Sequence, residues 1–89
     1  MSTVTAMSVD WQAFTVVYGP VALYRQLAAF VAEAVDEGRL SPGDPLPTEI
    51  QVADYTGVSV DTVRAAWRLL REDQVIVTAQ GIGSFVKEG

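Results

Sequence analysis

Residues 57–71 read GVSVDTVRAAWRLLR. Ser59 is a strong N-cap residue, and Val58 and Val63 stand where a hydrophobic staple fixes the start of a helix. Val63, Ala66, Trp67 and Leu70 repeat at i, i+3, i+4, i+7, the spacing of one helix face. Arg64, Arg68 and Arg71 fall on the opposite face. A short helix after a glycine turn, apolar behind and arginine-bearing in front, suits insertion into a major groove. The same pattern also describes an ordinary amphipathic helix with a solvated face.

The totals narrow the frame around that helix. The 89 residues allow one domain. A hydrophobic fraction of 49% against 19% charged residues argues for a folded chain. No apolar run approaches the roughly 18 residues of a membrane span. The opening MSTVTAMSVDWQ lacks the basic and apolar regions of a secretory signal. Cysteine and histidine are both absent, which removes disulfides, thiolate or imidazole metal sites and imidazole catalysis. No catalytic residues, metal or cofactor are expected, and a reducing, cytoplasmic setting fits. The net charge of −5 opposes phosphate binding. Its distribution softens that: three of the six basic residues lie between Arg64 and Arg71, where Asp61 is the nearby acid.

Taken in order, residues 1–8 are small and polar and read as a frayed end. Residues 9–18, VDWQAFTVVY, read as a strand or extended arm. Its large apolar side chains need either the domain's own core or a second copy of the chain. We therefore divide the chain into an N-terminal arm at 1–19 and a domain at 20–87. Gly19-Pro20 breaks the chain, and a helix is predicted over 21–37 with Leu23, Leu27, Phe30, Val31, Ala34 and Val35 on its apolar face. Gly38 stops it. The loop SPGDP follows, with Leu46 pinned between prolines. Thr48 to Gln51 fits a capping box, opening a short helix with Ile50, Val52 and Ala53 as buried contacts. Gly57 turns the chain into the helix at 59–73. Two strands then form a hairpin over 75–86, around Gln80-Gly81-Ile82-Gly83. The fold class is α+β, mainly α: three helices and a C-terminal hairpin.

Four stretches in this order carry a resemblance. They are Leu23-Tyr24-Arg25-Gln26-Leu27; Gly38-Arg39-Leu40-Ser41-Pro42-Gly43-Asp44 with Leu46-Pro47-Thr48-Glu49; Gly57-Val58-Ser59 with Thr62-Val63-Arg64 and Ala66; and Gln80-Gly81 with Gly83-Ser84-Phe85-Val86. The chain resembles the GntR family of bacterial transcription regulators, in its N-terminal winged helix-turn-helix domain. The resemblance implies double-stranded DNA as partner, with the helix at 59–73 in the major groove and the hairpin as the wing beside it. Carried over residue by residue, the DNA-contacting set is Thr48, Ser59, Val60, Asp61, Thr62, Arg64, Arg68, Gln80, Gly81 and Gly83.

The family's basic residues are replaced at several of these places. Ile50 follows the Thr-Glu pair, Val60 and Asp61 follow Ser59, and the wing carries Thr78, Ala79 and Ile82. Asp61 repels phosphate, can accept a hydrogen bond from a cytosine amino group, and can pair with Arg64 three residues on. Three or four phosphate-neutralising cations imply a salt slope of about −3. Family members normally continue past the wing into an effector-binding and dimerising domain. A chain ending at Gly89 is therefore expected to lack a small-molecule effector domain, leaving the arm as the candidate homodimer contact. The alternative reading is a winged-helix protein-interaction module with weak or no DNA binding. It is motivated by the acidic balance and by Val60 and Ile82 where cations are expected. Its discriminating feature is the surface around those two residues.

Overall fold

The computed structural model describes residues 9–88. Four regular pieces frame the domain: α1 (Leu23–Asp36), α2 (Glu49–Thr56), α3 (Val60–Glu72) and a hairpin of β1 (Ile76–Ala79) and β2 (Gly83–Val86). The strands are antiparallel, with Ile76 opposite Val86 and Ala79 opposite Gly83. This is the three-helix, two-strand arrangement expected from the sequence.

The helices begin and end where local chemistry satisfies their orphan backbone groups. Thr48 accepts from Gln51 N at 3.0 Å while the Gln51 side chain accepts from Thr48 N at 2.9 Å, a complete capping box. Gly57 closes α2 in the left-handed region at φ 79°, where a β-carbon is disfavoured. Ser59 then accepts from Thr62 N at 3.1 Å and opens α3. Replacing Thr48 by Ala leaves that cap unmade and should lower the unfolding free energy by about 1 kcal/mol, read from the urea midpoint at constant slope.

The core is built on the α3 stripe. Val63, Ala66, Trp67 and Leu70 are all buried, against Leu27, Val31 and Ala34 of α1 and Val52 of α2. Val58 joins the same cluster ahead of α3, as the staple requires. Leu40, Leu46, Ile76 and Val86 complete it from the loop and the hairpin.

Three local expectations change. The arm contains no strand among its described residues. Instead Trp11–Ala13 forms a 3-10 turn capped by Asp10, and Val9, Trp11 and Phe14 are buried in the domain's own core. Trp11 lies 6.3 Å from Trp67 and 6.0 Å from Phe30 between ring centroids. Much of the apolar content that motivated an arm-mediated dimer is thus spent within the chain. The frayed end read over residues 1–8 lies outside the described residues. Secondly, α1 starts at Leu23 rather than 21, because Gln26 clips the preceding backbone open. Its Oε1 accepts from Val17 N at 2.8 Å, and its Nε2 donates to Val17 O at 2.8 Å and Val21 O at 2.9 Å. Thirdly, Ile50 is 71% exposed rather than buried. It sits two residues from buried Val52, a rotation of about 200° on a helix, so the two cannot share a face.

The loop before α2 does more than turn. Gly43 N donates to Val86 O, Val86 N to Asp44 O, and Leu46 N to Ser84 O, all at 2.8–2.9 Å. Pro45 bridges Phe85. The loop therefore runs as a third, edge segment along β2 and ties the wing to the body of the domain.

Candidate nucleic-acid interface

The start of α3 gathers Ser59, Asp61, Thr62 and Arg64 with Glu49 from the first turn of α2. Arg64 lies between the two helices. Its Nη1 meets Asp61 Oδ1 at 3.2 Å and its Nε meets Glu49 Oε1 at 3.4 Å. All three side chains keep water contact: Arg64 is 53% and Asp61 91% exposed. Ion pairs this open contribute little to stability, about 0–1 kcal/mol. The guanidinium is therefore held in place but remains available for exchange onto a stronger acceptor. The pairing with Asp61 is the one expected from i, i+3 spacing. The pairing with Glu49 crosses the turn and had no sequence signal.

The hydroxyls are also occupied. Ser59 Oγ and Thr62 Oγ1 lie 2.9 Å apart and share a hydrogen bond. Thr48 is exposed, with its hydroxyl on the α2 cap. Val60 is half-buried. Arg68, four residues beyond Arg64, is exposed and has no hydrogen bond or ion pair among the described residues. It is the freest cation on this face.

The wing residues sit apart from that cluster. Gln80, Gly81 and Ile82 form the hairpin turn, with Gly81 at φ 79°, and all three are exposed, as is Gly83. The wing is held to α3 by Arg71, whose Nη1 donates to Thr78 Oγ1 at 3.1 Å. Thr78 in turn shares a hydrogen bond with Ser84 at 3.0 Å. Arg71 thus orients the wing. Val60 is eleven residues from Arg71, about 16 Å along the helix axis. The attachment point and the start of α3 are at opposite ends of the helix.

Local charge here is unfavourable for phosphate: Asp61 and Glu49 outweigh Arg64. Asp61→Asn removes one repulsive charge and frees Arg64. Duplex affinity at low salt should rise about fivefold, the effect of a contact worth about 1 kcal/mol in water. The same change weakens the helix start by about 0.5 kcal/mol through the dipole. Opposite signs in a binding titration and a melt identify this substitution.

This arrangement of capped helix, glycine turn, arginine-bearing helix and wing has known counterparts. The profile described as "Bacterial regulatory proteins, gntR family" matches residues 23–86. The chain belongs to the GntR family. It carries that family's winged helix-turn-helix DNA-binding domain, a regulator's fold rather than an enzyme's. Among curated GntR relatives, the mannosyl-D-glycerate transport/metabolism system repressor MngR of Escherichia coli K12 is 48% identical over 66 residues, 74% of this chain and 28% of that protein. The histidine utilization repressor of Pseudomonas putida is 33% identical over 70 residues. The chain thus spans under a third of the length of these relatives. Among solved structures, the GntR-family transcription factor YtrA of Sulfolobus acidocaldarius superposes with a TM-score of 0.74 at 32% identity, covering 80% of this chain and 74% of that one. The AraR DNA-binding domain, solved in complex with operator ORX1, gives 0.71 at 28% identity, covering 80% and 92%. Among the described residues no helix is long and apolar enough to cross a membrane.

Proposed function

We propose that this domain binds operator DNA as a bacterial, cytoplasmic transcription regulator, with α3 in the major groove and the wing against the adjacent minor groove. The observation that carries the reading is the exposed face of α3. It presents Arg64, in exchangeable ion pairs, and an unpartnered Arg68 directly after the Gly57 turn. Arg64 reaches a base edge or phosphate by trading its carboxylate partners for a nucleic-acid acceptor. Ser59 and Thr62 turn a hydroxyl to phosphate at the helix start, and Thr48 lies beside them at the start of α2. Val60 and Asp61 face the groove, Asp61 as an acceptor for a cytosine amino group. Arg68 neutralises backbone, and Gln80, Gly81 and Gly83 approach it from the wing. The superposition on an operator-bound domain supports this docking.

Two copies bind together on a two-fold operator, which compensates for the modest charge of each. Selection from a random duplex pool should enrich paired half-sites about one helical turn, or a multiple of it, apart. The Arg64→Ala chain should enrich them far more weakly. A wild-type chain that enriches no sequence at low salt overturns the reading.

A further inference from the structure

The outer surface of α1 carries a charge pattern that is complementary to itself. Leu27, Val31 and Ala34 face the core. Arg25, Ala29 and Glu33 follow one another at four-residue steps on the opposite side, and all three are exposed. Asp36 continues the row and is also exposed. None of Arg25, Glu33 and Asp36 is in an ion pair among the described residues; Arg25 instead lies 5.7 Å from the ring centroid of its neighbour Tyr24.

The ends of α1 are uncompensated in the same sense. Its N-cap, Ala22, has no side-chain hydrogen bond, and the first turn holds no acid. Its last turn holds no base and ends in Asp36. Both ends therefore work against the helix dipole, which prefers acids at the start and bases at the end. Arg25, Ala29 and Glu33 of the row form one wall of a groove whose other wall includes Val17, Tyr18 and Val21. Tyr18 is 93% exposed, while Val17 is held against α1 by Gln26.

We infer that α1 pairs antiparallel with α1 of a second copy, about a two-fold axis through Ala29. One register satisfies every feature. With Ala29 opposite itself, Arg25 meets Glu33 of the partner subunit and Glu33 meets the partner's Arg25. Asp36 arrives over the partner's uncapped Ala22. Each contact occurs twice, as an isologous interface requires. Ala29 at the axis lets the backbones approach, and Val17, Tyr18 and Val21 supply apolar area at the rim. Arg25 and Ala29 also border the C-terminal end of α3, where Leu69, Leu70 and Asp73 line a cleft with them, while Arg64 and Arg68 lie outside that cleft. The 14-residue helix is only about 21 Å long, so the pair is small and its association weak. This pairing goes beyond the two-copy binding proposed above, and it is tested without DNA so that the two stand or fall separately.

Truncation at Pro20 is a poor test, because it also removes Val9, Trp11 and Phe14 from the core. Charge reversal at exposed positions is clean. Sedimentation equilibrium of the wild-type chain should show a reversible dimer at high concentration. R25E and E33R should each weaken it at least tenfold, because each reversal places two repulsive pairs in the symmetric interface. An equimolar mixture of R25E and E33R should recover it as a heterodimer, and the double variant R25E/E33R as a homodimer. Circular dichroism confirms that each variant is folded. A wild-type chain that stays monomeric at millimolar concentration, or a mixture no more associated than its separate components, overturns the inference.

Discussion

Replacing Trp67 by alanine should lower the unfolding free energy by about 3–5 kcal/mol, a large share of the 5–15 kcal/mol or so that holds a native domain together. Trp67 is 1% exposed and is the largest of the fully buried side chains. It stands where α3 meets the rest of the fold, in the same cluster as Leu27 and Val31 of α1, and packs against the Trp11 ring from the N-terminal segment. Its removal leaves a cavity with walls from several elements, and no single neighbour can collapse into it. The expected readout is a urea midpoint displaced far toward water. At growth temperature, a substantial unfolded population should appear in the far-ultraviolet signal. A Trp67→Phe chain, which restores most of the volume, should recover more than half of the loss. Wild-type stability in Trp67→Ala would mean that α3 is not seated as described.

Replacing Arg64 by alanine should weaken sequence-selective duplex binding about tenfold while changing stability by less than about 1 kcal/mol. A well-placed arginine–base contact discriminates by about 1–3 kcal/mol. The lower part of that range applies here because Arg64 must first leave Asp61 and Glu49. Arg64→Lys should recover little, since an ammonium cannot reproduce the planar guanidinium fork. Arg68→Ala makes the useful contrast. With no protein partner to leave, it should weaken all duplexes alike and lower the salt slope by about one. A quantitative binding titration on specific and unrelated duplexes separates the two behaviours.

Much of the fold was legible because local chemistry and long-range packing agree. The capping box at Thr48 and Gln51, the glycine at 57 and the cap at Ser59 each depend on neighbours within four residues, and each formed as written. The α3 stripe was readable for the same reason: periodicity is a local property with a long-range consequence. The segment ahead of α1 was not. Val9 and Trp11 alternate as in a strand, but Asp10 caps a single 3-10 turn that sends Val9, Trp11 and Phe14 inward together. An aspartate before a short aromatic run was the available signal. The edge pairing of residues 43–46 with β2 was hidden because Pro45 argues against a strand. Its neighbours, however, supply the donors. At the interface, sequence spacing gave the Asp61–Arg64 pair. The contribution of Glu49 depends on how α2 and α3 cross, and the role of Arg71 depends on where the wing lands. Neither is written in any window of adjacent residues.

The central claim is that the face of α3 neutralises phosphate despite an acidic chain. It is tested most directly by titrating salt against the affinity for a selected duplex. With Arg64 and Arg68 engaged per copy, log K should fall with log salt at a slope of about −2 for each bound copy. Binding with a slope near zero, or no binding at the lowest salt, would contradict it.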